Sequence, residues 1–262
     1  MMTLEQVAIV RSGRTVVQEA GFRVPEGEVW GLIGPNGGGK SSLLLAMAGL
    51  LTPHRGEVRL LGERLSHWSR AELALRVGFL PQAQHMVFPY TVHEFVAMGR
   101  IPWQRRYGKD RRRDDAAVES ALQAMGMVDL AERTMVQLSG GEVQRACLGQ
   151  VLAQATPLLL LDEPLAHLDL LHQTILLRRL HDLTRDGCSA VLSLHDLSLA
   201  WRFCDRLLVT GNGKATVFSV KETPELEARL RESFGLRFRF DPELGPIPAE
   251  PVVIDDRRPG VL

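Results

Sequence analysis

Eight consecutive residues, Gly34-Pro35-Asn36-Gly37-Gly38-Gly39-Lys40-Ser41, fit the pattern G-x-x-x-x-G-K-[ST] at every fixed position. Their chemistry is phosphate binding. The glycines let backbone N–H groups approach an anion with no side chain in the way. The helix expected from Ser42 to Leu51 turns the positive end of its dipole toward the same point. Lys40 is placed to reach terminal phosphates, and the Ser41 hydroxyl to sit on Mg²⁺. The bland alternative is a Gly-rich turn before an ordinary helix. Gly-Lys-Ser at this spacing, directly behind the apolar run Val29-Trp30-Gly31-Leu32-Ile33, argues against it.

Three more polar positions follow apolar strand-like runs: Gln82 after Val77–Leu80, Asp162-Glu163 after Leu158–Leu161, and His195 after Ala190–Leu194. In a parallel sheet, ligands bind beyond the carboxyl ends of the strands. These positions are therefore expected to converge on the nucleotide held at Lys40. Hydrolysis needs a carboxylate for Mg²⁺ and a second group to orient or deprotonate water. Asp162 suits the first role and Glu163 the second. His195 could contact the γ-phosphate, and Gln82 could sense Mg²⁺ or the water. Alone, Asp162-Glu163-Pro164 would read as an acidic turn at a helix start. Alone, His195 would read as a hydrogen-bonded structural histidine.

Leu138-Ser139-Gly140-Gly141-Glu142 carries a second helix start. Ser139-x-x-Glu142 is a capping box. Two glycines in a first turn cost about 1 kcal/mol each against Ala, which a cap does not require. Close approach of backbone and hydroxyl to a phosphate does. The chain's own loop already holds one nucleotide, so a second protomer is the expected source of another.

The elements that must position these groups read as one large α/β domain. The 262 residues carry 31 Lys+Arg and 31 Asp+Glu, so no global basic field points to nucleic acid. Cys147, Cys188 and Cys204 form no C-x-x-C spacing and read as buried thiols in a reducing compartment. No signal peptide is visible, and no apolar run nears the ~18 residues that span a bilayer. The start to Ile33 is β-rich. From about residue 84 to 140 the pattern turns helical, with Thr91-x-x-Glu94 as a capping box and the basic stretch 105–113 as a solvated face or a contact for anionic lipid or a partner. Leu207–Val209 is the last clear strand, Leu226–Phe234 a surface helix, and the tail from Asp241, with five prolines, is expected to be extended or partly disordered.

The order GPNGGGKS, LPQ, LSGGE, LLLLDEP, HLD and LHD resembles the nucleotide-binding subunit of an ABC transporter over roughly residues 4–215. The resemblance implies a P-loop NTPase cassette: an α/β domain over 1–240 with an antiparallel β subdomain, a mostly parallel core sheet and an inserted helical subdomain at about 84–140, then a Pro-rich tail over 241–262. It implies ATP and Mg²⁺, and a head-to-tail dimer with two ATP at the interface. By resemblance, Gly34 to Ser41 with Ser42 is the Walker A loop, Gln82 the Q-loop glutamine and Asp162 the Walker B carboxylate. Glu163 is then the base, His195 the switch histidine, Asp169 the D-loop aspartate, and Ser139 to Glu142 the signature that covers the partner's ATP. Ser41, Gln82 and Asp162 would serve Mg²⁺. The family's adenine-stacking aromatic is replaced by about Arg11, whose guanidinium can stack on a base; weak base selectivity is the expectation.

Phe88-Pro89-Tyr90-Thr91-Val92-x-Glu94, Met98-Gly99-Arg100 and His167-Leu168-Asp169-Leu170-x-His172-Gln173 are similar to ATPases that import ferric siderophores, haem and cobalamin. His167 and His172 read as ordinary loop and helix residues, not a metal site. The similarity implies a permease docked at about residues 85–100, with Phe88, Tyr90 and Val92 as an apolar anchor or as core. It also implies a separate substrate-binding protein and a place on the cytoplasmic face of the inner membrane. A soluble ABC ATPase would be expected to carry a coiled-coil insertion or a second cassette, and neither is visible. An exporter subunit fits the branch motifs less well.

Overall fold

The computed structural model describes residues 1–82, 89–108, 110–219, 223–241 and 243–251. The chain opens with β1 (Met2–Arg11), β2 (Arg14–Val24) and β3 (Val29–Ile33), then α1 (Lys40–Met47). Next come β4 (Arg55–Leu60), β5 (Glu63–Arg64), α2 (Arg70–Leu73) and β6 (Val77–Leu80). Four helices follow: α3 (Val92–Ala97), α4 (Ile101–Tyr107), α5 (Arg111–Ala124) and α6 (Gly140–Ala153). Alternation resumes with β7 (Leu158–Leu161), α7 (Leu170–Arg185), β8 (Ser189–Ser193), α8 (Leu197–Phe203), β9 (Arg206–Gly211) and β10 (Lys214–Ser219). The chain ends in α9 (Thr223–Phe234), β11 (Leu236–Asp241) and β12 (Gly245–Pro251).

Among the described residues one ten-stranded sheet runs β5-β4-β1-β2-β10-β9-β3-β8-β7-β6. Its half from β9 to β6 is parallel, and β4-β1-β2 is antiparallel. The run Leu158–Leu161 shows why the parallel half forms. All four leucines are buried, and they alternate between the two faces of the sheet. Leu158 and Leu160 join the cluster with β1, β2 and α1, while Leu159 and Leu161 join the cluster with α5, α6 and α7. Burial contributes about 1.5–3 kcal/mol per leucine, and a strand covered on both faces needs no polar residue.

The helical segment begins at the Thr91 cap, where Thr91 and Glu94 satisfy each other's backbone N–H groups. Val92, Phe95 and Val96 are buried in the core. Val92 therefore packs as core instead of as a surface anchor; Tyr90 is 42% exposed, and Phe88 lies outside the described residues. Arg105, Arg106, Arg111, Arg112 and Arg113 are exposed, as a solvated face requires. Arg100 is the exception in this basic region. It is buried, its Nε 2.9 Å from Asp114, and its Nη1 donates to Ala153 O at 2.8 Å.

The C-terminal part differs from the expectation. Leu207–Val209 is not the last strand, since β10 pairs antiparallel with β9. Helix α9 is a packed helix, with Leu226 and Leu230 fully buried. Gly245–Pro251 is not a loose tail but a strand paired with β11. Proline is tolerated there because β12 has a neighbour on one side only, where a missing N–H costs least. The three thiols are buried, as expected. Burial pushes Cys147 up to about 12 and Cys188 to about 11, so both stay protonated and unreactive.

Candidate functional site

Strand β3 ends at Ile33 and the chain turns through Gly34–Gly39 into α1. Gly39 occupies the N-cap in the left-handed region at φ +89, with no side chain capping the helix. A Cβ there would stand 2.8 Å from Val17 Cγ2 of β2, so glycine is needed for conformation and for space alike. Lys40 is buried and folds back over the loop, its Nζ donating to Gly34 O at 2.8 Å and Pro35 O at 3.1 Å. Burial lowers its pKa, while the charges of Glu163 and Asp162 act the other way. The lysine and the two carboxylates, more than 120 positions apart in sequence, thus share one electrostatic neighbourhood.

Asp162 and Glu163 follow β7. Asp162 is buried and accepts a 2.7 Å hydrogen bond from the Ser193 hydroxyl. The same hydroxyl accepts from the Glu163 backbone N–H at 2.7 Å. Ser193 is the last residue of β8, and the parallel register Leu161↔Leu192 brings it beside Asp162. One buried hydroxyl therefore holds both members of the acidic pair. Nothing in the local sequence around Ser193 marks this; it follows from β7 and β8 being sheet neighbours. Glu163 itself sits at φ +50, a left-handed backbone that non-glycine residues rarely adopt and that clusters at functional sites.

Glu163 Oε1 gathers the other two predicted groups. Gln82 Nε2 donates to it at 3.0 Å, and His195 Nε2 lies 2.9 Å from it. The imidazole is half-exposed, so it can move. Gln82, Glu163 and His195 line one open cavity of about 460 Å³ with Asn36–Ser42, Arg11 and Val16. The cavity is large enough for a nucleotide and lies at the carboxyl ends of β3, β6, β7 and β8. Arg11, at the end of β1, lines the same cavity. Val16 on β2 is a lining residue that the sequence motifs do not reveal.

Two predicted groups stand apart from this cavity. Ser139 and Glu142 satisfy each other: the Glu142 N–H reaches Ser139 Oγ at 3.4 Å, and Glu142 Oε2 accepts from the Ser139 N–H at 2.7 Å. Gly141 has a reason within its own chain, since a Cβ would stand 2.7 Å from His167 O. Gly140 has none, for nothing lies within 4 Å of its Cβ position. The glycine cost at the first turn is thus half explained by local packing. Asp169 caps α7, accepting from the His172 N–H at 2.9 Å and contacting its ring at 2.7 Å. These contacts hold its carboxyl below the ordinary value.

Ser41 and Gln82 line the cavity, and Asp162 is buried directly before its lining residue Glu163; together they suit Mg²⁺ held with a nucleotide. The Ser41 hydroxyl, the free oxygen of Asp162 and the Gln82 amide oxygen are hard donors with a single carboxylate among them. Among the described residues no cluster of three or more His, Cys, Asp or Glu offers an all-protein metal cage.

Comparison with known proteins identifies the family. The family model described as ABC transporter matches residues 17–166. The hemin import ATP-binding protein HmuV of Nocardia farcinica is 48% identical over 201 residues, covering 77% of this chain and 69% of that protein. The ferric enterobactin transport ATP-binding protein FepC of Escherichia coli is 37% identical over 251 residues, covering 95% of this chain and 92% of that protein. A dimeric ATP-binding cassette in a post-hydrolysis state, bound to ADP and phosphate, shares the fold at a TM-score of 0.74 and 24% identity, covering 84% of this chain and 99% of that chain. The matched family model spans the phosphate loop, the acidic pair and the capped helix start, and the chain belongs to the ABC transporter family as an ATP-binding, ATP-hydrolysing protein.

Proposed function

We propose that this ATPase drives a permease that imports a metal chelate, and that the chelate is haem. The observation that carries the reading is one cavity lined by Lys40, Gln82, Glu163 and His195 in a chain whose relatives are named for hemin and ferric enterobactin import. The triphosphate lies along Gly34–Ser41 and Ser42, and Lys40 exchanges its carbonyl bonds for terminal phosphate oxygens. Arg11 stacks on the base. Ser41, Asp162 and Gln82 would hold Mg²⁺, which would supply charge neutralisation at the phosphates. Glu163 takes the proton of the attacking water once Gln82 and His195 release its Oε1. His195 then donates to the γ-phosphate.

Ser139–Glu142 and Asp169 face no nucleotide in their own chain, which supports a head-to-tail pair with a second copy and two ATP between them. The permease docks at about residues 85–100, where Tyr90 is exposed. A separate binding protein delivers the chelate, so no residue here contacts it. No described helix is long and apolar enough to cross a membrane. A peripheral place on the cytoplasmic face of the inner membrane fits this division of labour.

Glu163→Gln tests the chemistry. Turnover is expected to vanish while ATP-dependent dimers accumulate, read by size-exclusion chromatography. Near-normal ATPase activity would remove Glu163 as the base. The cargo is tested with the subunit and its permease in proteoliposomes. A haem-loaded binding protein should stimulate ATP hydrolysis; stimulation by a ferric siderophore instead would reassign the cargo.

A further inference from the structure

The sequence assigns the chain beyond Asp241 no task, yet it packs against the helix that starts beside the switch histidine. Gly245 opens β12 at φ +73, and a Cβ added there would overlap the Trp201 indole of α8. Trp201 also meets the Phe240 ring edge-on, centroids 5.8 Å apart. A second side of α8 lies on β3: a Cβ at Gly31 would stand 3.0 Å from Cys204 Sγ and 3.4 Å from Ala200 Cβ. Two close approaches that glycine permits therefore hold α8 between the β11–β12 hairpin and the strand leading to the phosphate loop. Helix α9 ties the hairpin to the sheet. Arg229 is buried, and its Nη2 donates to Gly211 O at 2.8 Å and Lys214 O at 3.0 Å. Phe234 of α9 meets Phe238 of β11 edge-on at 6.0 Å.

Helix α8 is seven residues long. A helix that short has no stability of its own, so packing sets its position. Its cap is Asp196, which accepts from the Ser198 N–H at 2.8 Å and the Leu199 N–H at 3.0 Å. The residue before that cap is His195, 2.9 Å from Glu163.

We infer that α9 and the β11–β12 hairpin form a positioning element for ATP hydrolysis, bracing α8 through Trp201 and so setting His195 against Glu163. The inference rests on the reading of His195 as a group of the hydrolytic site. It also marks the hairpin as a place where binding of another protein would change turnover without touching the nucleotide.

The test is a double-mutant cycle in the full-length chain. Gly245→Val puts branched carbons where the indole lies. A shift of ~1 Å in a positioned group costs about 10²-fold, so kcat should fall on that order while KM for ATP holds, because the Lys40 loop is untouched. In a His195→Ala background the same change should add little, since residues that act as a unit are not additive. Equal losses in both backgrounds would overturn the inference, as would a parent-like kcat in Gly245→Val with only a lower melting temperature. If Gly245→Val does not fold, Phe240→Ala carries the same cycle. A readout independent of turnover is the His195 imidazole resonance, assigned by its loss in His195→Ala. It should shift in the nucleotide-free hairpin variant, and an unmoved resonance would overturn the inference even if the parent chain turned over no ATP.

Discussion

Helices α1 and α6 both start at glycine-rich turns, and the two starts are built in opposite ways. At α1 the N-cap is Gly39 in the left-handed region, no side chain caps the helix, and the turn opens on the cavity. At α6 the N-cap is Ser139 in extended backbone, closed by a complete capping box, and it lies outside that cavity. The first arrangement leaves helix N–H groups for an anion and needs glycine to do so. The second spends its donors on its own side chains. Its one unexplained feature is Gly140, exposed with nothing near it. One start is open as a phosphate site within its own chain and so is the complete half; the other is closed on itself, and its own chain leaves Gly140 unexplained.

The largest test of that contrast is Lys40→Ala. Nucleotide affinity of the isolated chain should fall about 100-fold, ~3 kcal/mol, the upper value for a hydrogen bond to a charged group. Ser139→Ala should leave that affinity unchanged. Titration with a fluorescent ATP analogue under dilute, non-dimerising conditions reads both. Equal weakening would place Ser139 in the same site as Lys40 and end the distinction.

What the sequence makes legible follows the same divide. The phosphate loop, the acidic pair and the Thr91 and Ser139 caps are set by residues within a few positions of one another, and the structure contains each. Strand β7 is legible because four adjacent leucines admit no other easy burial. Ser193 is not, because its partners come from register across β7 and β8. From sequence Gly141 reads as a glycine kept for a ligand, whereas the carbonyl of His167, 26 positions away, already requires it. Prolines hide the β11–β12 hairpin in the sequence, since they argue against a strand unless it is paired on one side only, as β12 is. Ser193 and Gly141 depend on contacts between distant parts of the chain, whereas the hairpin pairs neighbouring strands and depends on an edge position that the local sequence does not show.

Ser193→Ala sharpens the comparison from inside the complete half. It leaves the buried Asp162 oxygen and the Glu163 N–H each short of a partner, a cost of about 1–3 kcal/mol. A melting-temperature drop of several degrees should follow, with a higher Mg²⁺ concentration needed for half-maximal ATPase activity. Ser193→Thr keeps the hydroxyl and should restore the Mg²⁺ dependence. If Ser193→Ala shifted neither quantity, the hydroxyl would not be what holds the acidic pair.

The smallest effect belongs to the Ser139 cap, and it decides what that helix start is for. Glu142 has its carboxyl held below the ordinary value of 4.5, first by the Ser139 backbone N–H and then by its hydroxyl. Near that range the unfolded chain binds more protons than the folded one. The stabilisation is therefore full above 4.5 and lost as pH falls through the lowered value. Ser139→Ala should cost about 1 kcal/mol at neutral pH, as other lost caps do. The difference in melting temperature from the parent should shrink in acid, where the parent's own box opens. A cap with no further role predicts unchanged kcat per folded chain at every protein concentration. A helix start that also reaches a partner's nucleotide predicts a kcat that falls in Ser139→Ala, with the loss appearing only at concentrations where the parent forms dimers.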